Sequence, residues 1–214
     1  SLSSGEMERL IRTYTMALQE IFGPDRDIPA PDIGTGPREM AWLMDQYSRS
    51  YGMTINAVVT GKPGVLGGSL GRTEATGRGV MVSALAAMEK LKLNPFKGTC
   101  AIQGFGNVGS WAARLLDECG VKIVTLSDLS QAYNNENGIN ISDAVAFQEA
   151  HYGYLIGFSG AQVISTDELL LLDVDALVPA AVEDVITVKN AKDIKVKLNV
   201  EGEDGPTSVK EDKI

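Results

Sequence analysis

The first third of the chain contains amphipathic segments with the spacing of helices. Apolar residues recur at three- and four-residue steps over residues 7–22, with charged residues between them, which predicts a helix that ends before Gly23-Pro24. A second helix is predicted over residues 37–51, because Pro37 is a favoured first helical residue and Gly52 ends the apolar stripe. Residues 61–79 hold seven glycines, a density typical of a loop whose backbone bends sharply or approaches another group closely.

From residue 73 onward, predicted helices alternate with buried strands. A helix with a wide apolar face is predicted over residues 73–91, followed by a strand over Thr99–Gln103, a helix over residues 108–119 and a strand over Lys122–Ser127. Further along, the pattern predicts a helix over residues 142–152, short strands at 175–178 and 197–200, and short helices from Thr166 and Val188. This alternation predicts an α/β fold, a mostly parallel sheet with helices on both faces, and a domain boundary near residue 70.

Composition narrows the classes of partner. The chain has 214 residues, and its 19 Lys and Arg against 28 Asp and Glu give a net charge of −9. We therefore expect no nucleic-acid or membrane partner, since both need excess positive charge, although a few backbone N–H groups can still hold a single nucleotide.

No signal peptide and no apolar run of about 18 residues is visible. Cys100 and Cys119 lie in apolar segments, which is typical of a reducing compartment, so we expect a cytoplasmic protein. The carboxylates show no metal-ligand spacing, so we expect no metal site.

The clearest local motif is the glycine sequence Gly104-Phe-Gly-Asn-Val-Gly109. It directly follows a predicted strand and opens a predicted helix, which is the context that dinucleotide binding requires. Gly104 permits the tight turn, Gly106 lets the backbone approach a pyrophosphate, and Gly109 lets helix and strand pack closely. The start of the helix then offers N–H groups and the positive end of its dipole to phosphates. The alternative is a glycine turn in another kind of α/β protein.

An acidic residue follows the next predicted strand. Asp128 lies 19 residues after Gly109. A carboxylate at this position can accept both ribose hydroxyls of NAD and would repel the extra phosphate of NADP. The alternative is an ordinary loop carboxylate.

Four further side chains are candidates with simpler alternatives. Asp32 lies in a stiff proline-rich segment and could relay protons, although its residues alone favour a turn or a helix cap. Arg72 and Thr76 are four residues apart, where a guanidinium could bind a carboxylate and a hydroxyl could bind an amide. A solvated arginine and a capping threonine are equally compatible with that spacing. His151, the single histidine, is expected at the surface or at a helix end.

Several motifs together resemble the glutamate dehydrogenase family. They lie at residues 29–35, 59–63, 67–79, 104–109, 178–181 and 200–207. The resemblance extends from about residue 2 to about residue 208, and the block at 67–79 is the most specific part. Dehydrogenases of branched-chain amino acids and phenylalanine are similar in architecture but differ in that block, so a dehydrogenase of another amino acid is the second interpretation.

The resemblance implies oxidative deamination of glutamate to 2-oxoglutarate and ammonia, with hydride transfer to NAD; NADP is the alternative cofactor. It implies that residues 1–70 are a remnant of a second α/β domain, the substrate domain, and that residues 71–214 are a Rossmann-like NAD(P)-binding domain. Asp32 matches the catalytic aspartate and Arg72 matches the arginine near the substrate carboxylate. The implied cofactor contacts are Thr76, Gly104, Gly106, Asn107, Val108, Gly109, Asp128, Ala180, Ala181 and Asp204. Full-length members assemble as homo-oligomers, usually hexamers.

The sequence departs from the family pattern in three respects. Asp204 and Asp184 stand where asparagine is usual, and an aspartate at 204 keeps an acceptor oxygen but loses the amide donor. The Lys-Gly-Gly motif that carries the family's catalytic lysine does not occur in these residues, nor does the closing C-terminal helix. We therefore expect negligible turnover by this chain alone. A dinucleotide-binding module without catalysis is the alternative from another functional class.

Overall fold

The computed structural model describes residues 2–32 and 34–208. The chain divides into two compact units, Ser1–Thr73 and Glu74–Ile214, which are described separately below. Among the described residues, none of the helices combines the length and hydrophobicity needed to cross a bilayer.

The first unit is built on two helices, α1 (Ser4–Ala17) and α2 (Pro37–Tyr51), and two short 3-10 turns, Asn56–Val58 and Gly64–Leu66. The apolar faces of α1 and α2 meet in a small core, as their periodicity predicts. The buried members of this core are Ile11, Phe22, Met40, Leu43, Met44, Tyr47, Val58 and Val59.

The first helix ends earlier than its apolar pattern predicts. The prediction extended it to Phe22, whereas α1 stops at Ala17. The backbone N–H groups of Ile21 and Phe22 both donate to the carbonyl of Leu18, which tightens the chain into a turn. The Phe22 carbonyl accepts from Tyr47 Oη on α2 at 3.0 Å, which anchors this turn against the second helix.

The second unit contains a six-stranded sheet. Its strands are β1 (Thr99–Gln103), β2 (Lys122–Ser127), β3 (Ala132–Asn134), β4 (Gln162–Ile164), β5 (Ala176–Pro179) and β6 (Leu198–Asn199). Their order across the sheet is β4-β3-β2-β1-β5-β6. β1 is parallel to β2 and β5, and β5 is parallel to β6, while β3 and β4 add antiparallel pairs at one edge. The predicted mostly parallel sheet is confirmed.

Helices cover both faces of this sheet. They are α3 (Ala75–Lys90), α4 (Asn107–Glu118), α5 (Ile141–Ala150) and α6 (Thr166–Leu170). Because side chains alternate along a strand, Cys100 and Ile102 enter the core beneath α3, α4 and α5, whereas Ala101 faces α6. The predicted cover of helices on both faces is therefore confirmed.

Three local expectations differ from the structure. β3 and β4 are absent from the prediction, because three-residue strands are too short to show an alternating pattern. The short helix predicted from Val188 is instead a turn followed by one 3-10 turn, Ala191–Asp193. The predicted helix at 73–91 begins at Ala75, with Glu74 as its N-cap.

Candidate functional site

The carboxyl ends of the central parallel strands meet at one edge of the sheet. Gln103, the last residue of β1, pairs with Ser127 at the end of β2 and with Pro179 at the end of β5. The residues that follow these three ends are Gly104, Asp128 and Ala180. In doubly wound folds this edge holds the ligand crevice, since the loops after neighbouring strands diverge there.

The glycine turn is packed against both neighbouring strand ends. Gly104 has φ +96°, and a Cβ on it would lie 2.5 Å from the carbonyl oxygen of Ala180. A Cβ on Gly109 would lie 1.8 Å from the carbonyl oxygen of Gly104. The Gly104 N–H donates to Ser127 Oγ at 3.2 Å, which connects the turn to β2. Packing within the protein therefore requires glycine at both positions.

Gly106 differs from the other two glycines. Its φ is −82°, which any residue adopts, and an added Cβ would meet no atom of the described residues within 4 Å. It is exposed and is the N-cap of α4, which has no capping side chain. Glycine is a favoured N-cap residue, but no packing contact in the described residues requires one here. A phosphate at the helix N-terminus would need the space that a Cβ fills. The turn therefore fits a dinucleotide.

A second feature of this edge is an unpaired acceptor. Gln103 is 5% exposed, and its Oε1 atom finds no hydrogen-bond partner in the part of the chain that the structure describes. Buried polar atoms are normally paired.

Asp128 is the acceptor of a dense set of hydrogen bonds. Its Oδ1 accepts from Ser130 N at 2.7 Å, from Ser130 Oγ at 2.5 Å and from Gln131 N at 3.1 Å. Its Oδ2 accepts from Leu155 N at 2.5 Å. Desolvation raises the pKa of this carboxyl, but the donors from Ser130, Leu155 and Gln131 outweigh it and hold the pKa below its ordinary value. The carboxylate is thus ionised, and Oδ2 keeps one free position for an outside hydroxyl.

The loops after β5 and β6 are joined by backbone hydrogen bonds. Ala180 N donates to Gln103 O, and Gly202 N donates to Pro179 O, each at 2.8 Å. Asp184 N then donates to Gly205 O at 3.1 Å, beside the exposed Asp204. Asp184 has φ +54°, a conformation that asparagine and aspartate tolerate better than most residues. Ala180 and Ala181 therefore lie against the glycine turn, since a Cβ on Gly104 would lie 2.5 Å from the Ala180 carbonyl oxygen and 3.0 Å from the Ala181 Cβ. The loop that carries Asp204 is joined to the loop after β5 by the bond from Asp184 to Gly205.

Thr76 and Arg72 are not on a common helical face. Thr76 lies exposed in the first turn of α3, whereas Arg72 lies in the turn before the helix starts at Ala75. The four-residue spacing argument needs both residues in the helix, so it does not apply.

Asp32 lies in a tight turn of the first unit. Its N–H donates to Thr35 Oγ1 at 2.7 Å, and its carbonyl accepts from Thr35 N at 2.9 Å. Its side chain is exposed. The suggestion that it caps α2 is wrong, because Gly36 is the N-cap and Glu39 accepts from Gly36 N at 2.8 Å.

His151 is an exposed residue at the C-terminal end of α5, as expected. Its ring stacks on Phe147 at 3.8 Å between centroids, and its Nδ1 lies 2.7 Å from the Phe147 carbonyl oxygen.

Residues that the sequence does not single out also support this edge. Gln148 Nε2, on α5, donates to the Phe105 carbonyl of the glycine turn at 2.7 Å. Tyr133 Oη, on β3, donates to the Leu155 carbonyl at 2.6 Å. These partners are 43 and 22 residues apart in the chain, so no local pattern could have predicted them.

The sheet is doubly wound and mostly parallel, and a glycine turn joins its first strand to the following helix. These features define the class of Rossmann-type α/β proteins. A family model described as Glutamate/Leucine/Phenylalanine/Valine dehydrogenase matches residues 67–214, and one described as the dimerisation domain of these dehydrogenases matches residues 1–49. The chain belongs to the Glu/Leu/Phe/Val dehydrogenase family, which confirms the resemblance found in the motifs.

Individual relatives are glutamate dehydrogenases. The chain is 48% identical over 214 residues to glutamate dehydrogenase of Thermotoga maritima, covering 100% of this chain and 51% of that protein. It is 46% identical over 213 residues to NAD-specific glutamate dehydrogenase A of Halobacterium salinarum, covering 100% of this chain and 48% of that protein. The chain thus spans about half the length of these relatives.

A solved structure extends the likeness to three dimensions. The hetero-hexameric glutamate dehydrogenase of Thermus thermophilus, in its leucine-bound form, superposes with a TM-score of 0.92 at 30% identity. The match covers 100% of this chain and 50% of that one.

Proposed function

We propose that this chain forms the dinucleotide-binding half of an NAD-dependent glutamate dehydrogenase. In this proposal, residues 71–214 bind the cofactor, and residues 1–70 belong to the substrate domain. The reaction would be oxidative deamination of glutamate to 2-oxoglutarate and ammonia. Relatives that are glutamate dehydrogenases, one of them named NAD-specific, support the choice of reaction and cofactor.

The observation that carries the proposal is the open space at Gly106. Its two companion glycines are needed for packing, whereas Gly106 faces the N-terminus of a 12-residue helix with no side chain nearby among the described residues. N–H groups at such a helix start point outward and favour an anion. A pyrophosphate is the anion that this position suits best in a Rossmann-type fold.

Different residues of this crevice would contact different parts of the cofactor. The exposed Asn107 and half-buried Val108 begin α4 and would offer backbone N–H groups to the pyrophosphate. Thr76 would bind the amide of the nicotinamide, and Asp204 its ribose. Ala180 and Ala181 would line the nicotinamide side of the crevice. When bound, NAD accepts the hydride from the substrate carbon.

Asp128 would set the preference between the two cofactors. It follows β2, where the adenosine ribose lies in Rossmann-type folds, and its remaining acceptor position suits one ribose hydroxyl. The donors around it keep the carboxylate ionised, so the negative charge would oppose the 2′-phosphate of NADP. The proposal therefore favours NAD.

Two residues would act on the substrate. Arg72 would hold a substrate carboxylate, since a guanidinium binds a carboxylate through two parallel hydrogen bonds. Asp32 would hold the proton of the substrate amino group, as an exposed carboxylate on a backbone fixed by the turn to Thr35.

Assembly and location complete the proposal. The match of residues 1–49 to a dimerisation domain supports a homo-oligomer, and we infer the hexamer that is usual in this family. Cys100 and Cys119 are both free, which supports the cytoplasm.

The test is a calorimetric titration of the purified chain with NAD and separately with NADP. We expect saturable NAD binding and much weaker NADP binding. Gly106→Ala should weaken NAD binding by at least about tenfold, while the free energy of unfolding stays within about 1 kcal/mol of the parent. Gly79→Ala is the matched control, because its Cβ also enters open space, on α3, and it should bind NAD as the unmodified chain does.

Two outcomes would contradict the proposal. One is a folded chain that binds neither dinucleotide, and the other is a Gly106→Ala variant that binds NAD normally. A glutamate-dependent reduction of NAD by this chain alone would contradict the narrower expectation of negligible turnover, which follows from the absence of the Lys-Gly-Gly motif in these residues.

A further inference from the structure

The connection between α5 and β4 touches both loops of the proposed cofactor crevice. We call residues 151–158 of this connection the clasp. One attachment of the clasp reaches the end of β2, and the other reaches the glycine turn. Neither attachment is visible in the sequence motifs, and the residues that bond to Asp128 and to the glycine turn, Leu155 and Gln148, are not among the cofactor contacts proposed above.

The first attachment holds the peptide groups of Leu155 from two sides. The Leu155 N–H donates to Asp128 Oδ2 at 2.5 Å, and the Leu155 carbonyl accepts from Tyr133 Oη at 2.6 Å. Leu155 and Tyr133 are both 0% exposed. Hydrogen bonds shielded from water are strong, and breaking one leaves a buried polar group without a partner. This attachment therefore fixes the clasp to the end of β2.

The second attachment is the side-chain amide of Gln148. Its Nε2 donates to the Phe105 carbonyl at 2.7 Å and to the Gly153 carbonyl at 3.1 Å. Phe105 is 1% exposed and lies between Gly104 and Gly106 in the glycine turn. A single amide therefore connects the turn that would hold the pyrophosphate with the start of the clasp.

The clasp has a compact path between these attachments. Tyr152, Gly153 and Gly157 all have positive φ, at 56°, 88° and 87°. Phe158 then packs edge-on against Tyr133, with ring centroids 5.9 Å apart, and closes the segment onto the core. Tyr152 is the left-handed residue just after the C-cap of α5, and the Gly153 N–H donates to the Gln148 carbonyl at 2.9 Å, so a local capping bond sets the start of this path.

We propose that the clasp holds the glycine turn and the end of β2 in their mutual geometry, with Gln148 and Tyr133 acting as positioning residues for dinucleotide binding. This inference rests on the proposed function. The cofactor would touch the two loops, while Gln148 and Tyr133 act through them. Loosening either attachment should therefore disturb both loops together.

This arrangement has a distinctive consequence for affinity. Gln148 and Tyr133 are uncharged, and Gln148→Met or Tyr133→Phe changes no charge near the ribose. Both variants should consequently weaken NAD and NADP by the same factor, since the geometry of the crevice changes while its charge does not. A residue that reads the 2′-phosphate would instead change the ratio of the two affinities.

The experiment combines amide hydrogen exchange by NMR with titration of the whole chain by NAD and NADP. Gln148→Met should speed exchange at the Leu155 amide, and Tyr133→Phe should speed exchange at the Gly104 amide, although neither side chain bonds to the amide observed. Each variant should weaken both cofactors by about threefold to tenfold, with the ratio preserved within about twofold. Gln162→Met, at an exposed position of β4, is the control and should change neither readout.

The outcomes separate the clasp from the proposed function. If each variant affects only the amides at its own contact, or leaves both affinities unchanged, the clasp does not position the crevice and the inference is wrong. If the unmodified chain binds neither dinucleotide, the proposed function fails. Faster exchange at the Leu155 amide in Gln148→Met and at the Gly104 amide in Tyr133→Phe would still show whether the clasp links the two loops. Should Tyr133→Phe not fold, Gln148→Met gives the same decision, because its side chain is only half-buried.

Discussion

Substitution of Gly109 gives a quantitative test of the glycine turn. An alanine Cβ there would lie 1.8 Å from the Gly104 carbonyl oxygen and 2.9 Å from its carbonyl carbon. An ordinary carbon–oxygen contact is about 3.3 Å, so the Gly104 carbonyl must retreat by about 1.5 Å. Gly104 cannot move freely, because its N–H is bonded to Ser127 and Ala180 packs so closely that a Cβ on Gly104 would lie 2.5 Å from the Ala180 carbonyl oxygen. We expect Gly109→Ala to lower the free energy of unfolding by about 3 kcal/mol or more.

The assay is urea unfolding followed by tryptophan fluorescence. Trp42 lies in the first unit and Trp111 on α4 of the second, so a Trp42→Phe background leaves Trp111 as the reporter of the unit that contains the turn. With an m value near 2 kcal/mol/M, the midpoint should fall by about 1.5 M.

Gly106→Ala is the matched control for this stability measurement. Its Cβ enters open space and its φ is ordinary, so the reduced freedom of the unfolded chain favours the variant, whereas alanine is a poorer N-cap than glycine. These two effects oppose one another, so the free energy of unfolding should stay within about 1 kcal/mol of the parent. If Gly109→Ala unfolds at the same urea concentration as Gly106→Ala, the packing argument for the turn is refuted.

Two further predictions concern titration and thiol reactivity. Desolvation raises the pKa of Asp175, but hydrogen bonds from Lys197 and Thr99 and the charge of Lys197 outweigh it, so the pKa in the folded protein lies below its ordinary value of 3.8. The ionised carboxylate therefore stabilises the folded protein above pH 3.8, and this stabilisation is lost as the pH falls through the lower pKa of the folded state. In Asp175→Asn, the unfolding midpoint should therefore fall less steeply as the pH is lowered below about 4 than it does in the parent. An unchanged slope would show that this carboxylate does not contribute to the acid sensitivity. Burial raises the pKa of Cys100 to about 12, so a thiol reagent at about pH 8 should label the half-buried Cys119 and leave Cys100 unmodified in the folded chain. Peptide mapping of the labelled protein checks this, and prompt labelling of Cys100 would show that β1 opens readily.

Local patterns were sufficient for the framework of the second unit. The predicted strands Thr99–Gln103 and Lys122–Ser127 have the bounds found in the structure. Both are buried on two faces, so each has apolar neighbours such as Cys100-Ala-Ile102 or Ile123-Val124 in place of strict alternation, a pattern visible without knowledge of the neighbouring strands. The glycine motif was equally readable, since turn, helix start and strand end are adjacent in sequence.

Elements that depend on distant partners were not predictable in this way. α1 ends at Ala17 although its apolar pattern continues to Phe22, and the turn that follows is bonded through the Phe22 carbonyl to Tyr47, 25 residues further along the chain. β3 and β4 are three-residue strands that exist through pairing with one another and with β2. Neither feature has a periodicity of its own.

The class of fold, the family and the position of the glycine turn can all be predicted from the amino-acid sequence, because each depends on residues that are neighbours along the chain. The roles open to those residues become visible only in three dimensions. The tertiary structure showed that two glycines of the turn are needed for packing and that Gly106 faces open space. It also showed that Asp128 is bonded to Leu155, 27 residues away, which leaves it one free acceptor position on Oδ2 rather than two open oxygens. The physical reason is that hydrogen-bond saturation and steric room are set by groups from distant parts of the chain.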